Sequence, residues 1–232
     1  MERSVILMAE LKHNYISVSS GYGKSYGGNQ MRSDSSVIVS SGCGLVAALD
    51  VLLYLYRYHG GGRVDEFAAM QLDGVISLNE YEACLRWLNH RYFPLIPRFG
   101  MNGIALAAGM NLFLLRHKMP FRTVWGVRES RLWNTIDDML EQDIPVIMAV
   151  GPNFPQFWHK NNASFYSKRA DGSYVCAAGT RAHFVIVTGS DDQWLRISSW
   201  GNMYYVNKKE FSQYVHDNSI NFLSSILKIE KK

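Results

Sequence analysis

Leu45, Ala48, Leu49, Leu52, Leu53 and Tyr56 recur at spacings of three and four, the period of one face of an α-helix, and Gly60, Gly61 and Gly62 end the run. A helix this apolar needs cover, and its first turn falls at Cys43. The chain can supply that cover: 232 residues, 47% hydrophobic and 19% charged, can bury a sizeable core in one domain or in two lobes sharing a cleft. With 19 glycines and 6 prolines it is neither collagenous nor of low complexity.

The helical period continues to about position 141. Ser77 and Glu80 stand in capping-box spacing, and the helix they open buries Tyr81, Cys84, Leu85 and Leu88 on one stripe. Further helices are expected over 104–116 and 131–142. After Pro145 the pattern changes to short alternating or β-branched runs, read as strands at 146–150, 182–189, 194–199, 203–206 and 221–229. Asp191, Asp192 and Gln193 make the turn between the second and third of these. Residues 151–181 show no clear period and display Phe154, Phe157, Trp158, Phe165, Tyr166 and Tyr174, so they read as a long aromatic loop, either a wall of a substrate groove or its own small core. A helical half followed by a sheet half gives an α+β class, with a cleft between the halves as the natural site.

Several functions are disfavoured at this stage. The 24 basic and 20 acidic residues leave a net charge of +4 that is scattered rather than gathered into a stripe, which argues against nucleic acid as a partner. The run from Phe99 to Leu115 carries Asn102 and Asn111 and is too short to span a bilayer, so no membrane segment is expected. The first eleven residues show no secretory signal, and three cysteines without CxxC pairing argue against disulfides and structural zinc; a reduced, cytoplasmic setting is the expectation. No metal, HExxH motif or cofactor is expected, and Gly21-Tyr22-Gly23-Lys24-Ser25 reads as a turn rather than a phosphate loop.

The candidate chemistry starts at Ser41-Gly42-Cys43-Gly44. A cysteine at a helix N-terminus has its thiolate favoured by unpaired N–H groups, and the same groups can bind an oxyanion formed at an attacked carbonyl. The plainer alternative is a small buried cysteine. The imidazole that such a nucleophile requires is best supplied by His183, at the start of a strand 140 positions downstream, with His159 in reserve.

In order along the chain, these pieces resemble papain-like cysteine peptidases, especially the branch of bacteriocin-processing (double-glycine) peptidases. Tyr26-Gly27-Gly28-Asn29-Gln30 is similar to the segment bearing the oxyanion-hole glutamine, 41–53 to the nucleophile helix, 183–189 to the histidine strand, and Ser198-Ser199-Trp200-Gly201 to the family's Asn-Ser-Trp-Gly segment. The resemblance spans about 26–211. It implies a papain-like fold in one domain over residues 1–232, with a helical lobe at 26–142 and a β lobe at 143–230, acting on a peptide or protein substrate.

The resemblance further implies Cys43 as nucleophile, His183 as base, Gln30 as oxyanion donor and Ser198 at the histidine-orienting position. Gly42, Trp200, Phe157 and Trp158 would then face substrate, with Trp200 shielding the histidine. Two departures stand out. Gln30 lies thirteen residues before Cys43 rather than six, where this chain has Val37, so an extended 31–41 loop would have to bring its amide back, with Asn29 the other polar candidate for the role. Ser198 stands where the family has asparagine; a hydroxyl can accept from the imidazole N–H but holds the tautomer less firmly and stabilises imidazolium less than an aspartate would, which favours a weakened enzyme, or one that only binds peptide, as the alternative. An acyltransferase on the same site is the third reading.

Overall fold

A computed structural model describes residues 9–232 apart from 22, 61, 69, 71–74, 98–99, 151–161 and 219–225. Its elements run β1 (Ala9–Glu10), β2 (Ser17–Ser20), β3 (Gly23–Tyr26), α1 (Ser36–Ser41), α2 (Cys43–His59), α3 (Asp65–Ala68), β4 (Ile76–Ser77), α4 (Leu78–Arg91), α5 (Gly103–Arg116), β5 (Phe121–Trp125) and α6 (Leu132–Glu141). They continue with β6 (Val146–Val150), β7 (Ala163–Lys168), β8 (Tyr174–Thr180), β9 (His183–Ser190), β10 (Trp194–Ser199), β11 (Asn202–Asn207), α7 (Lys208–Asn218) and β12 (Ile226–Lys231). The class is α+β. Among the described residues, nine strands form one antiparallel sheet in the order β5-β12-β6-β9-β10-β11-β7-β8, with β1 also pairing with β9. A small second sheet joins β3, β2 and β4.

The apolar run beginning at Leu45 becomes α2, in which every residue from Gly44 to Leu55 is buried. A helix buried all round must be enclosed by other elements. The strands β9 and β6 cover one side, and α1, α4 and α5 pack on the others. Gly60, with φ +62, ends α2 in a backbone region where a Cβ would be strained. The capping box forms at α4: the Ser77 hydroxyl accepts from the Glu80 amide and the Glu80 carboxylate accepts from the Ser77 amide.

Several sequence expectations are corrected. The helical half contains a strand, β5, which pairs with β12 at the end of the large sheet; with β1 it shows that the sheet draws on both halves of the chain. The free edge of β5 is occupied by a side chain: Asn111 of α5 donates to the Thr123 carbonyl and accepts from the Thr123 amide, both at 2.8 Å, as a neighbouring strand would. Residues 163–180 are a hairpin, β7–β8, rather than a loop; Phe165 is fully buried and Tyr174 stacks on Trp194 at 3.9 Å. Residues 31–41 are not extended, since α1 occupies 36–41. A polar helix, α7, follows β11, and the last strand runs to Lys231, with 221–225 outside the described residues.

Leu49, wholly buried at the centre of α2, measures how far the fold depends on this helix. Leu49→Ala is expected to lower unfolding free energy by about 2–5 kcal/mol, read from urea titration at unchanged m-value.

Candidate active site

The glycines around Cys43 set where its sulfur stands. Gly42 joins α1 to α2, and a Cβ there would fall 2.5 Å from the Ile38 carbonyl oxygen, so the two helices can abut only at glycine. A Cβ on Gly44 would lie 3.1 Å from the Phe184 ring, which brings the first turn of α2 flush against β9. Cys43 is the first residue of α2 and is half-buried. Burial pushes its thiol up, while the backbone N–H groups of Phe184, Gly44 and Cys43 itself pull it partly back. The net direction is upward.

His183 opens β9, opposite Val150 in the β6 ladder. Its Nε2 lies 2.9 Å from the Ser199 hydroxyl, and its ring stacks on the Trp200 indole at 4.5 Å and 21°. Burial pulls its pKa down to about 4, so the imidazole is neutral at pH 7. Trp200 and Gly201 form the two-residue turn between β10 and β11 with φ of +48 and +73, the signs of a type I′ hairpin turn. A tryptophan at positive φ is strained unless its surroundings fix it. Here the indole is held by His183 and Phe165, and the Gly201 carbonyl accepts from the Tyr26 amide at 2.8 Å.

That last bond ties the turn to the 26–30 segment. Gly27 has φ +79, and Asn29 caps a single 3-10 turn at Gln30–Arg32 with its side chain. Gln30 is buried and its Nε2 donates to the Val39 carbonyl of α1 at 2.9 Å. The thirteen-residue spacing is therefore spanned by a 3-10 turn and a short helix, which fold Gln30 back onto the chain just before Cys43.

Gly28, Gln30, Cys43, Val46, Ala47, Asp50, His183, Phe184, Ile186, Ser198, Ser199 and Trp200 line one cavity of about 20 Å³, room for roughly one water. Cys43, Val46, Ala47 and Asp50 are its contribution from α2, spaced as one helix stripe. The structure thus brings Cys43, His183, Gln30, Ser198 and Trp200 to one place. Ser198, however, does not meet the imidazole: its hydroxyl donates to the Tyr26 carbonyl at 2.7 Å, and the hydroxyl on His183 is that of Ser199. Both serines line the cavity, but the Ser198 hydroxyl is turned to the Tyr26 backbone and the Ser199 hydroxyl to the imidazole, so the position that matches the family's asparagine is not the one that meets His183. Gly42 sits behind the nucleophile as a junction. Phe157, Trp158 and the reserve His159 lie outside the described residues.

Asp50 is the residue that motif reading passed over. It is 1% exposed and accepts hydrogen bonds from Tyr81 Oη (2.6 Å), Gly28 N (2.9 Å) and Tyr15 Oη (3.0 Å). Burial raises its pKa to about 6, with those donors pulling the other way. Its signal in the sequence is its solitude, the one acid within the apolar run from Gly44 to Tyr56. A larger groove of about 960 Å³ lies elsewhere, between α6 and the β5–β12 pair, and includes none of these residues. Among the described residues no group of His, Cys, Asp and Glu is arranged to hold a metal, and no helix is long and apolar enough to cross a membrane.

Comparison with known proteins adds little. No family model matches the chain and no curated protein matches it. Among solved structures, it is similar to a crystal structure from Bacillus anthracis named provisionally as a C39-like peptidase, at 15% identity and a TM-score of 0.36. The match covers 58% of this chain and 61% of that one, so the chain spans less than two thirds of the structure it matches. A likeness this distant carries no argument about the site.

The buried imidazole has a consequence for acid stability. Its pKa is about 4 in the folded chain and 6.5 in an unfolded one, so below pH 6.5 the unfolded chain binds the extra proton. The His183 contribution to stability should therefore fall as pH drops from 6.5 to about 4, by up to about 3 kcal/mol, while buried Asp50, raised from 3.8 to about 6, contributes in the opposite sense over nearly the same window. In His183→Phe the urea-unfolding free energy should accordingly rise relative to the parent as pH falls from 6.5 to about 4, the difference between the two profiles reading the histidine alone.

Proposed function

We propose that the chain is a papain-like cysteine hydrolase that cleaves a peptide or amide bond, with Cys43 as nucleophile, His183 as general base and then acid, and Gln30 with the Cys43 amide as oxyanion donors. The observation that carries this reading is the convergence of a cysteine at a helix N-terminus, a neutral histidine stacked on tryptophan and a buried glutamine amide on one cavity. An amide NH2 carries two hydrogens, and Gln30 has given one to Val39, leaving the other for a ligand.

The steps follow from the protonation states. With the thiol pushed up and the imidazole pushed down, the resting pair is a neutral thiol and a neutral imidazole. The proton then moves as the bond forms: His183 takes it from the thiol while sulfur attacks the carbonyl carbon. Ser199 engages Nε2, which leaves Nδ1 as the nitrogen for this exchange. The tetrahedral oxyanion is stabilised by preorganised N–H donors. On its collapse the C–N bond breaks, His183 returns the proton to the leaving amine, and water hydrolyses the thioester to release the acid and restore the thiol. Ser199 orients the ring here, in the position that the family resemblance assigned to Ser198.

A second reading, a peptide-binding protein without turnover, is favoured by the partner of the imidazole, since the uncharged Ser199 hydroxyl at Nε2 does little to stabilise imidazolium. Kinetics and alkylation separate the two. On the hydrolase reading, kcat/KM on a peptide library falls at least about a thousandfold in Cys43→Ala and His183→Ala. Ser199→Ala costs on the order of tenfold, the worth of one neutral hydrogen bond. Because the base must be unprotonated, activity in the parent is lost as pH falls through about 4 rather than 6.5. Iodoacetamide labelling followed by peptide mass spectrometry supplies the control: Cys43 should slow on the order of a hundredfold in His183→Ala. Exposed Cys176 and buried Cys84, its thiol pushed up to about 11, should not change. No cleavage, together with Cys43 labelling indifferent to His183, would leave the binding reading.

A further inference from the structure

The buried carboxyl of Asp50 has no part in the steps above, yet it lines the same cavity as Cys43 and Gln30. It stands seven residues after Cys43, two turns along the same stripe of α2. Stability alone does not explain it. A carboxyl in an apolar helix interior is costly to ionise, and a leucine there would bury area without that cost.

Its hydrogen bonds suggest what it does. Three donors converge on it from three different segments: Tyr15 from the strand-leading N-terminal stretch, Tyr81 from α4 and the Gly28 amide from the segment that carries Gln30. Two glycines make the approach possible. A Cβ on Gly27 would fall 2.6 Å from the carboxylate Oδ2 and 2.4 Å from the Ser198 hydroxyl, and one on Gly28 would fall 2.0 Å from Tyr81 Oη. The segment is held on its other side by Tyr26 N to Gly201 O and Gly27 N to Ile16 O, both at 2.8 Å.

We propose that Asp50 is the positioning residue of the oxyanion site, clamping the Gly27–Gly28 backbone to the nucleophile's own helix so that the Gln30 amide is held in fixed relation to the Cys43 sulfur. The inference rests on the roles proposed above for Cys43 and Gln30. It makes Asp50 indifferent to the formation of the sulfur nucleophile and important wherever an oxyanion must be bound. The raised pKa of about 6 is consistent with this: the carboxyl is ionised at neutral pH despite burial, its charge held by the donors it organises.

The test compares two reactions of Cys43, of which only the second places an oxygen at the oxyanion position. Alkylation by iodoacetamide forms none; reversible capture of a tripeptide aldehyde forms a thiohemiacetal whose oxygen sits where the oxyanion would. Both are measured in the parent, Asp50→Asn, Asp50→Ala and Tyr81→Phe, with near-UV circular dichroism and the Gly28 amide resonance as checks on the fold and on the clamp. Expected is a loss of aldehyde affinity of about tenfold or more in Asp50→Ala. Asp50→Asn and Tyr81→Phe should lose less, and alkylation rates should stay within about twofold of the parent in every folded variant.

Aldehyde affinity unchanged in the folded variants would overturn the proposal, and so would alkylation and aldehyde capture falling together. If Asp50→Ala does not fold, Tyr81→Phe and Asp50→Asn carry the comparison. A parent that captures no aldehyde and whose Cys43 labelling ignores His183 would remove the hydrolase reading, and this inference with it. A parent that captures aldehyde while the Asp50 variants match it would remove only the inference.

Discussion

The fold depends on enclosing α2. From Gly44 to Leu55 this helix has no exposed face, so its neighbours are arranged around it rather than beside it. The large sheet supplies one wall through β9 and β6, and α1, α4 and α5 supply the rest. Enclosure has two chemical consequences. Any polar group on the helix must be satisfied by protein, which is why Asp50 draws donors from three segments. In addition, the N-terminal turn ends against β9 at Gly44, so Cys43 is placed by the same packing that stabilises the core.

The other half of the site is placed by strand geometry. His183 begins β9, and the turn between β10 and β11 swings Trp200 over its ring at a backbone angle that a bulky residue seldom adopts. The Gly201 carbonyl then reaches the Tyr26 amide, and a Cβ on Gly201 would stand 3.1 Å from both Asn29 and Ser25. One hairpin turn thus touches both the histidine and the segment leading to Gln30. The wall of the site is continuous from α2 through Asp50 and Gly28 to Trp200 and His183.

What was legible in the sequence follows from which physics was local. The four long helices announce themselves by apolar period and by their ends, as with the Ser77–Glu80 box and Gly60. Strand β5 does not, because five residues containing Arg122, Thr123 and Val124 have no period of their own and pair with β12 more than a hundred positions away. The β7–β8 hairpin hides its alternation behind the register shift between Phe165 and Tyr166. The spacing of Phe211, Tyr214 and Val215 marks the buried face of α7, but short polar helices are easily lost after a strand. In the site, the positions of Cys43 and His183 could be read from helix start and strand start. Ser199 could not be separated from Ser198 because their partners, His183 and the Tyr26 carbonyl, come from distant segments, and Asp50 belongs to no motif, since its partners come together only in three dimensions.

The electrostatics of the cavity have a single cause. Burial raises the Cys43 thiol, lowers the His183 imidazole and raises the Asp50 carboxyl, in each case disfavouring the charged form. Only Asp50 keeps its charge at neutral pH, because its carboxyl starts from 3.8 and its three donors hold the rise to about 6. On the proposed reading, a site that is neutral at the sulfur and the imidazole before reaction spends no stabilisation on a resting ion pair. Charge separates as the carbonyl is attacked, when oxyanion and imidazolium form together among side chains that are already largely withdrawn from water, with His183, Gln30 and Asp50 all buried. Fixed donors act most strongly in such surroundings, and interactions made only at that stage are the ones that raise kcat. The same burial makes the geometry unforgiving: an N–H donor displaced from the oxyanion leaves a gap that at most about one water can fill. A carboxylate that fixes the oxyanion segment to the nucleophile's helix is then worth the cost of burying it.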